Sequence, residues 1–110
     1  QELATISQYK IGVKILILNN NFLGMVRQWQ ELFFDNRYSF TEMVNPDFNK
    51  ISEGYGIKNK KLEKKENLNN VLEEFINFDG PYLLNVIVEK EGNVFPMVPS
   101  GESVSNIRLE

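Results

Sequence analysis

Apolar residues recur along the chain with two alternating periods, one typical of helices and one typical of buried strands. Leu3, Ile6 and Tyr9 share one face of a predicted first helix. Residues 13–18 (VKILIL) are almost all β-formers, which indicates a strand covered on both faces of a parallel sheet. Between residues 22 and 34, apolar positions recur every three or four residues and predict a second helix with a wide apolar stripe.

The second half of the chain repeats this alternation. Asn45 is a candidate cap for a third helix, and Pro46 suits its first turn. Residues 57–62 predict a short strand, and Asn67 is placed to cap a fourth helix. Residues 82–88 (YLLNVIV) predict another apolar strand. The order α-β-α-α-β-α-β predicts an α/β fold with a parallel sheet between helical layers.

The composition is that of an ordinary globular domain and narrows the possible partners. The 110 residues are 42% hydrophobic and 25% charged, with a net charge of −3. This acidic balance argues against nonspecific nucleic-acid binding, which needs a basic face. No apolar run approaches the ~18 residues of a membrane-spanning helix. The chain has no cysteine, which fits a cytoplasmic or organellar location.

The chain has neither histidine nor cysteine, and this excludes several classes of active site. Catalytic triads, Cys–His pairs and zincin-type metal sites all need one of these residues. The carboxylates show no paired arrangement typical of an acid/base dyad, so we assign no catalytic residue within the chain. Any chemistry must rest on amides, backbone groups, lysines, carboxylates or a bound group.

A run of lysines interleaved with glutamates follows the third helix. The pattern is typical of a solvated surface, although phosphate or nucleic-acid binding is the alternative. The lysines are Lys58, Lys60, Lys61, Lys64 and Lys65.

Three asparagines, Asn19, Asn20 and Asn21, directly follow the first predicted strand. In open parallel sheets, ligands bind beyond the carboxyl ends of the strands, next to helix N-termini. Asparagine also favours turns and helix caps, so these residues could simply reverse the chain. Alternatively, one amide oxygen and a nearby carbonyl coordinate Mg²⁺, which prefers oxygen ligands. Gly24 then lets the backbone approach the ligand closely.

The asparagines lead into a longer motif, GMVRQWQELFF, which begins at Gly24. Together they resemble the thiamine-diphosphate site of the biosynthetic acetolactate (acetohydroxyacid) synthase catalytic subunit. The segments QELAT, VKILILNN, RYSFT, NPDF, GPYLLNVIV and VFPMVPSG follow in the order of that family. The resemblance therefore covers essentially the whole chain.

The resemblance implies a thiamine-diphosphate-binding domain of the PP type, present here as a partial parallel-sheet layer sandwich. The family's GDG motif, which precedes NN, is not in these residues, and the chain does not begin with methionine. We therefore expect residues 1–110 to be the C-terminal part of one such domain, lacking its N-terminal half. The tail of about 92–110 is expected to pack loosely.

The resemblance also implies roles for individual residues. Asn20 gives its side-chain oxygen to Mg²⁺ and Phe22 its main-chain carbonyl, while Asn19 and Asn21 are turn residues. The residues implied to bind the cofactor are Asn20, Phe22, Gly24 and Met25.

Four residues are implied to line the substrate channel, where inhibitors also bind: Met25, Trp29, Ser100 and Gly101. Trp29 on its own also suits a core or interface aromatic, and both roles are compatible. Ser100 without the motif is an ordinary surface hydroxyl.

The resemblance implies an enzyme that decarboxylates pyruvate on thiamine diphosphate and joins the two-carbon fragment to a second 2-oxo acid, in branched-chain amino acid synthesis. Expected cofactors are thiamine diphosphate, Mg²⁺ and, outside this chain, FAD. Expected partners are a second catalytic subunit, in a homodimer or homotetramer, and a regulatory small subunit. The chain alone is expected to be inactive and to self-associate. The alternatives are another thiamine-diphosphate-dependent oxo-acid decarboxylase or carboligase, and a noncatalytic α/β module.

Overall fold

The computed structural model describes residues 1–110 and contains four α-helices and three strands. The helices are α1 (Glu2–Tyr9), α2 (Gly24–Phe33), α3 (Phe48–Gly54) and α4 (Leu68–Asn77), and the strands are β1 (Lys14–Asn19), β2 (Lys58–Leu62) and β3 (Tyr82–Ile87). Short 3₁₀ turns cover Lys65–Asn67 and Val104–Asn106. The predicted order of elements is confirmed. No helix has the length and apolar character needed to cross a membrane.

The chain divides into two compact units. The sheet unit consists of Gln1–Asn20 and Val44–Val88, and the α2 unit consists of Asn21–Met43 and Glu89–Glu110. Each unit therefore combines two separate stretches of sequence.

The sheet unit is built on three parallel strands in the order β1-β3-β2. The predicted α/β class and parallel sheet are confirmed. Tyr82 and Leu84 of β3 are fully buried against Val71 and Phe75 of α4, together with Leu62 of β2. Because successive side chains of a strand alternate, Leu83 and Asn85 lie on the opposite face, towards α3.

The prediction that the first strand is covered on both faces is wrong for β1. Leu16 and Leu18 are 49% and 66% exposed, because the core contacts of α4 are with β2 and β3. β1 is also an edge strand, and only the central strand β3 is buried along most of its length.

The helix ends differ in detail from the prediction. α3 is capped by Asp47, whose carboxylate accepts hydrogen bonds from the N–H groups of Asn49 and Lys50, both at 3.1 Å. Asn45, the predicted cap, instead donates its side-chain amide to Asn19 Oδ1 at 3.0 Å. Asn67 occupies the N-cap position of α4 but makes no side-chain cap hydrogen bond, since a 3₁₀ turn leads into that helix.

Three of the five lysines in the lysine run pair with carboxylates. Lys60 Nζ lies 2.7 Å from Glu74 Oε2, Lys58 Nζ lies 3.4 Å from Glu74 Oε1, and Lys61 Nζ lies 2.6 Å from Glu63. These exposed lysines agree with the expected solvated surface.

Candidate functional site

In the sheet unit, the candidate site begins where β1 ends. Asn19 is the last residue of β1 and is buried, so its predicted role as a turn residue is wrong. Its carbonyl accepts the N–H of Val88 at 3.1 Å, and its side chain accepts the amide of Asn45. Asn20 follows at the carboxyl end of the strand, half-buried. This is the edge at which parallel sheets bind ligands.

In the α2 unit, an antiparallel bridge fixes the segment that leads into α2. Asn21 has a φ of 56°, which agrees with its predicted role in the turn. Phe22 pairs with Glu42, and the pair is closed by Leu23 N–H to the Thr41 carbonyl and by Met43 N–H to the Asn21 carbonyl, both at 2.8 Å. In this type of pair the flanking residues make the hydrogen bonds. The N–H and C=O of Phe22 therefore point away from Glu42.

Two cations hold the side chain of Phe22 in the same unit. Lys90 Nζ lies 5.4 Å and the Arg27 guanidinium 5.7 Å from the centre of its ring. These contacts are within the range of cation–π attraction. They orient the ring, while the backbone of Phe22 is fixed by the bridge to Glu42.

Helix α2 begins at Gly24, and the preceding Leu23 provides no side-chain cap. The first turn of this helix therefore presents N–H groups and the positive end of the helix dipole, which favour an anion such as phosphate.

An apolar hollow of about 340 Å³ lies on the exposed face of α2 and is lined by Met25, Val26 and Trp29. Met25 is 54% exposed, and the Trp29 ring packs 5.2 Å from the ring of Phe33. Trp29 thus contributes both to internal packing and to the surface of the hollow. The structure brings the two predicted channel residues of α2 together in one place.

The opposite side of α2 buries polar residues, which the apolar stripe did not predict. Arg27 is buried, lies 3.0 Å from Glu31 and covers the ring of Tyr38 at 4.6 Å. Glu31 also accepts hydrogen bonds from Asn93 at 2.8 Å and from the Tyr38 hydroxyl at 3.0 Å. The hydrogen bonds from Asn93 and Tyr38, with Arg27 adding to them, lower the pKa of Glu31 below its ordinary value. The carboxylate is therefore charged and satisfied.

Ser100 and Gly101 lie in the exposed tail and are not among the residues that line the hollow. Gly101 has a φ of 83°, a conformation that suits glycine. The tail folds back on itself through an antiparallel bridge between Met97 and Arg108.

Comparison with known proteins decides the family. Residues 1–86 match the thiamine pyrophosphate enzyme family, in its C-terminal TPP-binding domain. The chain belongs to this family. The all-parallel sheet of the sheet unit is consistent with this family.

Relatives of this family member include acetolactate synthases from yeasts and bacteria. The chain is 48% identical over 108 residues to "Acetolactate synthase, mitochondrial" of Schizosaccharomyces pombe, covering 98% of the chain and 16% of that protein. It is 44% identical over 108 residues to "Acetolactate synthase isozyme 2 large subunit" of Escherichia coli, covering 97% and 20%. It is 48% identical over 103 residues to "Acetolactate synthase catalytic subunit, mitochondrial" of Saccharomyces cerevisiae, covering 94% of the chain and 15% of that protein. The chain spans a fifth or less of the length of these relatives.

Proposed function

We propose that this chain forms part of the thiamine-diphosphate-binding domain of an acetolactate synthase catalytic subunit. The observation that carries the proposal is identity of 44–48% to three such proteins over nearly the whole chain. The complete enzyme decarboxylates pyruvate and joins the two-carbon fragment to a second 2-oxo acid, giving acetolactate or acetohydroxybutyrate. The same identity favours the synthase over another oxo-acid decarboxylase or carboligase, and over a noncatalytic module.

Asn20 and Phe22, two residues apart in the chain, are proposed to bind Mg²⁺ through the amide oxygen and the main-chain carbonyl. Both are neutral oxygen donors, which suit an ion whose charge is balanced by a diphosphate. The position of Asn20 at the carboxyl end of β1 supports this role. The bridge to Glu42, which directs the Phe22 carbonyl away from its partner, supports the second ligand.

Thiamine diphosphate, when bound, supplies a carbon nucleophile, which no amino-acid side chain provides. The start of α2 at Gly24 is proposed to face the cofactor, with backbone N–H groups favouring its negative charge. Met25 and Trp29 are proposed to exclude water beside the reactive ring and to contact a short aliphatic 2-oxo acid. Their apolar hollow of about 340 Å³ suits such a substrate. Ser100 and Gly101 are proposed to close the same channel.

The remaining components of the enzyme are proposed to come from outside these residues. They are FAD, a second catalytic subunit, a regulatory small subunit and the glutamate that activates the cofactor. The compartment is proposed to be the cytoplasm or an organelle, in line with the mitochondrial relatives. Because these parts are missing, we expect the 110-residue chain alone to be inactive. Calorimetric titration of the chain with thiamine diphosphate and Mg²⁺ should show weak binding at best, and micromolar affinity would refute this expectation.

The metal role of Asn20 is tested in the complete subunit by comparing Asn20→Ala with Asn20→Asp. Removing the amide oxygen should weaken Mg²⁺-dependent binding of thiamine diphosphate by at least about tenfold, since even residues that only support metal ligands typically contribute that much. Aspartate, which restores an oxygen ligand, should recover part of the affinity. Asn21→Gly is the matched control, because glycine tolerates the positive φ of that turn. Wild-type affinity in Asn20→Ala would reject the metal site.

A further inference from the structure

Two glutamines of α2 each hold the backbone of a single distant residue. Gln28 Nε2 donates to the Val94 carbonyl at 3.0 Å, and its Oε1 accepts the Val94 N–H at 2.8 Å. Gln30 makes the same pair of bonds with Ser39, at 3.0 and 3.1 Å. In each case one side-chain amide satisfies both backbone groups of its partner. We call these contacts the Gln28 clamp and the Gln30 clamp.

The two clamps lie on either side of the apolar hollow. On a helix that turns by about 100° per residue, Met25, Trp29 and Val26 cover one continuous face. Gln28 lies about 60° to one side of Met25, and Gln30 lies about 40° beyond Val26. Each clamp therefore fixes a chain segment along one border of the surface that the proposed function assigns to the substrate.

The clamps differ in their exposure to water. Gln28 is 1% exposed, and its Nε2 also contacts Met97 Sδ at 3.2 Å, whereas the bonds of Gln30 are exposed. Water replaces the lost partners of Ser39 when Gln30 is changed. The side chain of Val94 is exposed, but its two bonds with Gln28 are part-buried. An apolar side chain at the buried position 28 therefore leaves the backbone groups of Val94 facing a group that cannot pair with them. Loss of the side-chain amide should therefore displace the bound segment at Gln28, but not at Gln30.

We propose that Gln28 is a positioning residue, whose clamp on Val94 holds residues 93–97 beside Met25 and Trp29 and thereby maintains the shape of the substrate-contacting face. The inference rests on the proposed function, which places the 2-oxo acid on this face. Gln28 acts through the segment that it holds and is not itself in contact with the substrate.

The test uses Gln28→Leu in the complete holoenzyme, with Gln30→Leu as the matched control. Hydrogen exchange measured by mass spectrometry reports the protection of the Val94 and Ser39 amides. Steady-state kinetics gives kcat, the KM for pyruvate and the affinity for thiamine diphosphate. In Gln28→Leu we expect loss of protection at Val94 and an increase of about tenfold in KM, equivalent to the loss of one part-buried hydrogen-bond pair. Affinity for thiamine diphosphate should stay within about twofold, and Gln30→Leu should match wild type in KM.

A second variant covers the case in which Gln28→Leu does not fold. In Gln28→Glu the protonated carboxylic acid has the same acceptor and donor arrangement as the amide, and the carboxylate lacks the donor. The KM of this variant, relative to wild type at each pH, should fall towards the wild-type value between about pH 8 and about pH 6. A merely structural defect would not be reversed by protonation.

Three results would overturn the inference: unchanged protection of Val94 in Gln28→Leu, lost protection with unchanged KM, or a pH-independent defect in Gln28→Glu. If the variants give one of these results but the wild-type subunit forms acetolactate, the inference is wrong and the proposed function still holds. A wild-type holoenzyme without thiamine-diphosphate-dependent activity overturns the proposed function, and this inference with it.

Discussion

Tyr82 connects the core of the sheet unit to a surface charge network, and its hydroxyl can be removed without disturbing the packing. The residue is fully buried, and its ring packs edge-on against Phe75 and Phe78, with ring centres 5.3 and 5.6 Å away. Its hydroxyl donates to Glu74 Oε1 at 3.1 Å. Tyr82→Phe keeps both ring contacts and removes only this hydrogen bond.

The effect of Tyr82→Phe should reverse sign with pH. Burial, with the Glu74 carboxylate adding to it, raises the pKa of Tyr82 from 10.0 to about 12. The folded state therefore retains the phenol proton more tightly than the unfolded chain. The stabilisation of the fold that results from this difference is complete below pH 10 and is lost as the pH rises towards 12. The loss amounts to about 1.4 kcal/mol at about pH 11 and about 2.3 kcal/mol at about pH 12.

At neutral pH the hydroxyl should stabilise the fold by only about 1 kcal/mol, because Glu74 is partly exposed and keeps its bond to Lys60. Wild type should therefore be the more stable protein at about pH 8 and the less stable one at about pH 12, with the two free energies of unfolding crossing near about pH 11.

Urea unfolding followed by circular dichroism, at a series of pH values, measures both free energies. Tyr9→Phe, at an exposed position of α1, is the control and should follow wild type throughout. A constant difference between wild type and Tyr82→Phe across the alkaline range would refute the reasoning, because it would mean that the buried phenol does not titrate differently in the folded and unfolded states.

Three further predictions concern other parts of the sheet unit. Hydrogen bonds from Lys60 and, to a smaller extent, from Tyr82 lower the pKa of Glu74. The folded protein should therefore lose stability as the pH falls through the folded-state pKa of Glu74. Glu74→Gln should make the free energy of unfolding, measured by urea titration, less dependent on pH in the acid range. Asp47→Ala should lower the free energy of unfolding by about 1 kcal/mol, because the α3 cap is lost. Thermal unfolding measures this change, and an unchanged melting temperature would show that the cap does not contribute to stability. Leu18→Lys should reduce self-association of the isolated chain in sedimentation velocity, since Leu18 is 66% exposed on an edge strand; unchanged association would place the contact elsewhere.

The order of elements could be predicted from the sequence because each element has a clear hydrophobic period and a clear end. The apolar runs predicted for β1 and β3 correspond to the observed strand boundaries within one or two residues. Positions that depend on tertiary contacts were less predictable. Asn45 and Asp47 are both good capping residues, but the side chain of Asn45 bonds Asn19 whereas Asp47 directly precedes α3 and caps it.

The inner faces of α2 and α3 could not be predicted from hydrophobicity. In α2, Arg27 and Gln28 are buried while Met25 and Val26 are exposed, because partners 60 or more residues away satisfy the polar groups of Gln28. In α3, Ser52 is fully buried because its hydroxyl donates to the Ile57 carbonyl at 3.1 Å. In the sequence, the burial of polar groups on α2 is indicated only by the two glutamines, Gln28 and Gln30, that flank Trp29.

The candidate site was predictable as a motif rather than as a geometry. The asparagines after VKILIL indicated ligand binding at the end of a parallel strand, and the strand, its direction and the start of α2 after it are all observed. The roles of Asn20, Phe22, Ser100 and Gly101 depend on groups outside these 110 residues, so they stay predictions.

The most direct test of the account is a crystal structure of the complete subunit with thiamine diphosphate and Mn²⁺ in place of Mg²⁺, using anomalous scattering to locate the ion. The account predicts one ion bound by diphosphate oxygens, with Asn20 Oδ1 and the Phe22 carbonyl oxygen both at about 2.1–2.2 Å from it. An ion bound to the diphosphate with either of these two oxygens outside its coordination shell would contradict the account.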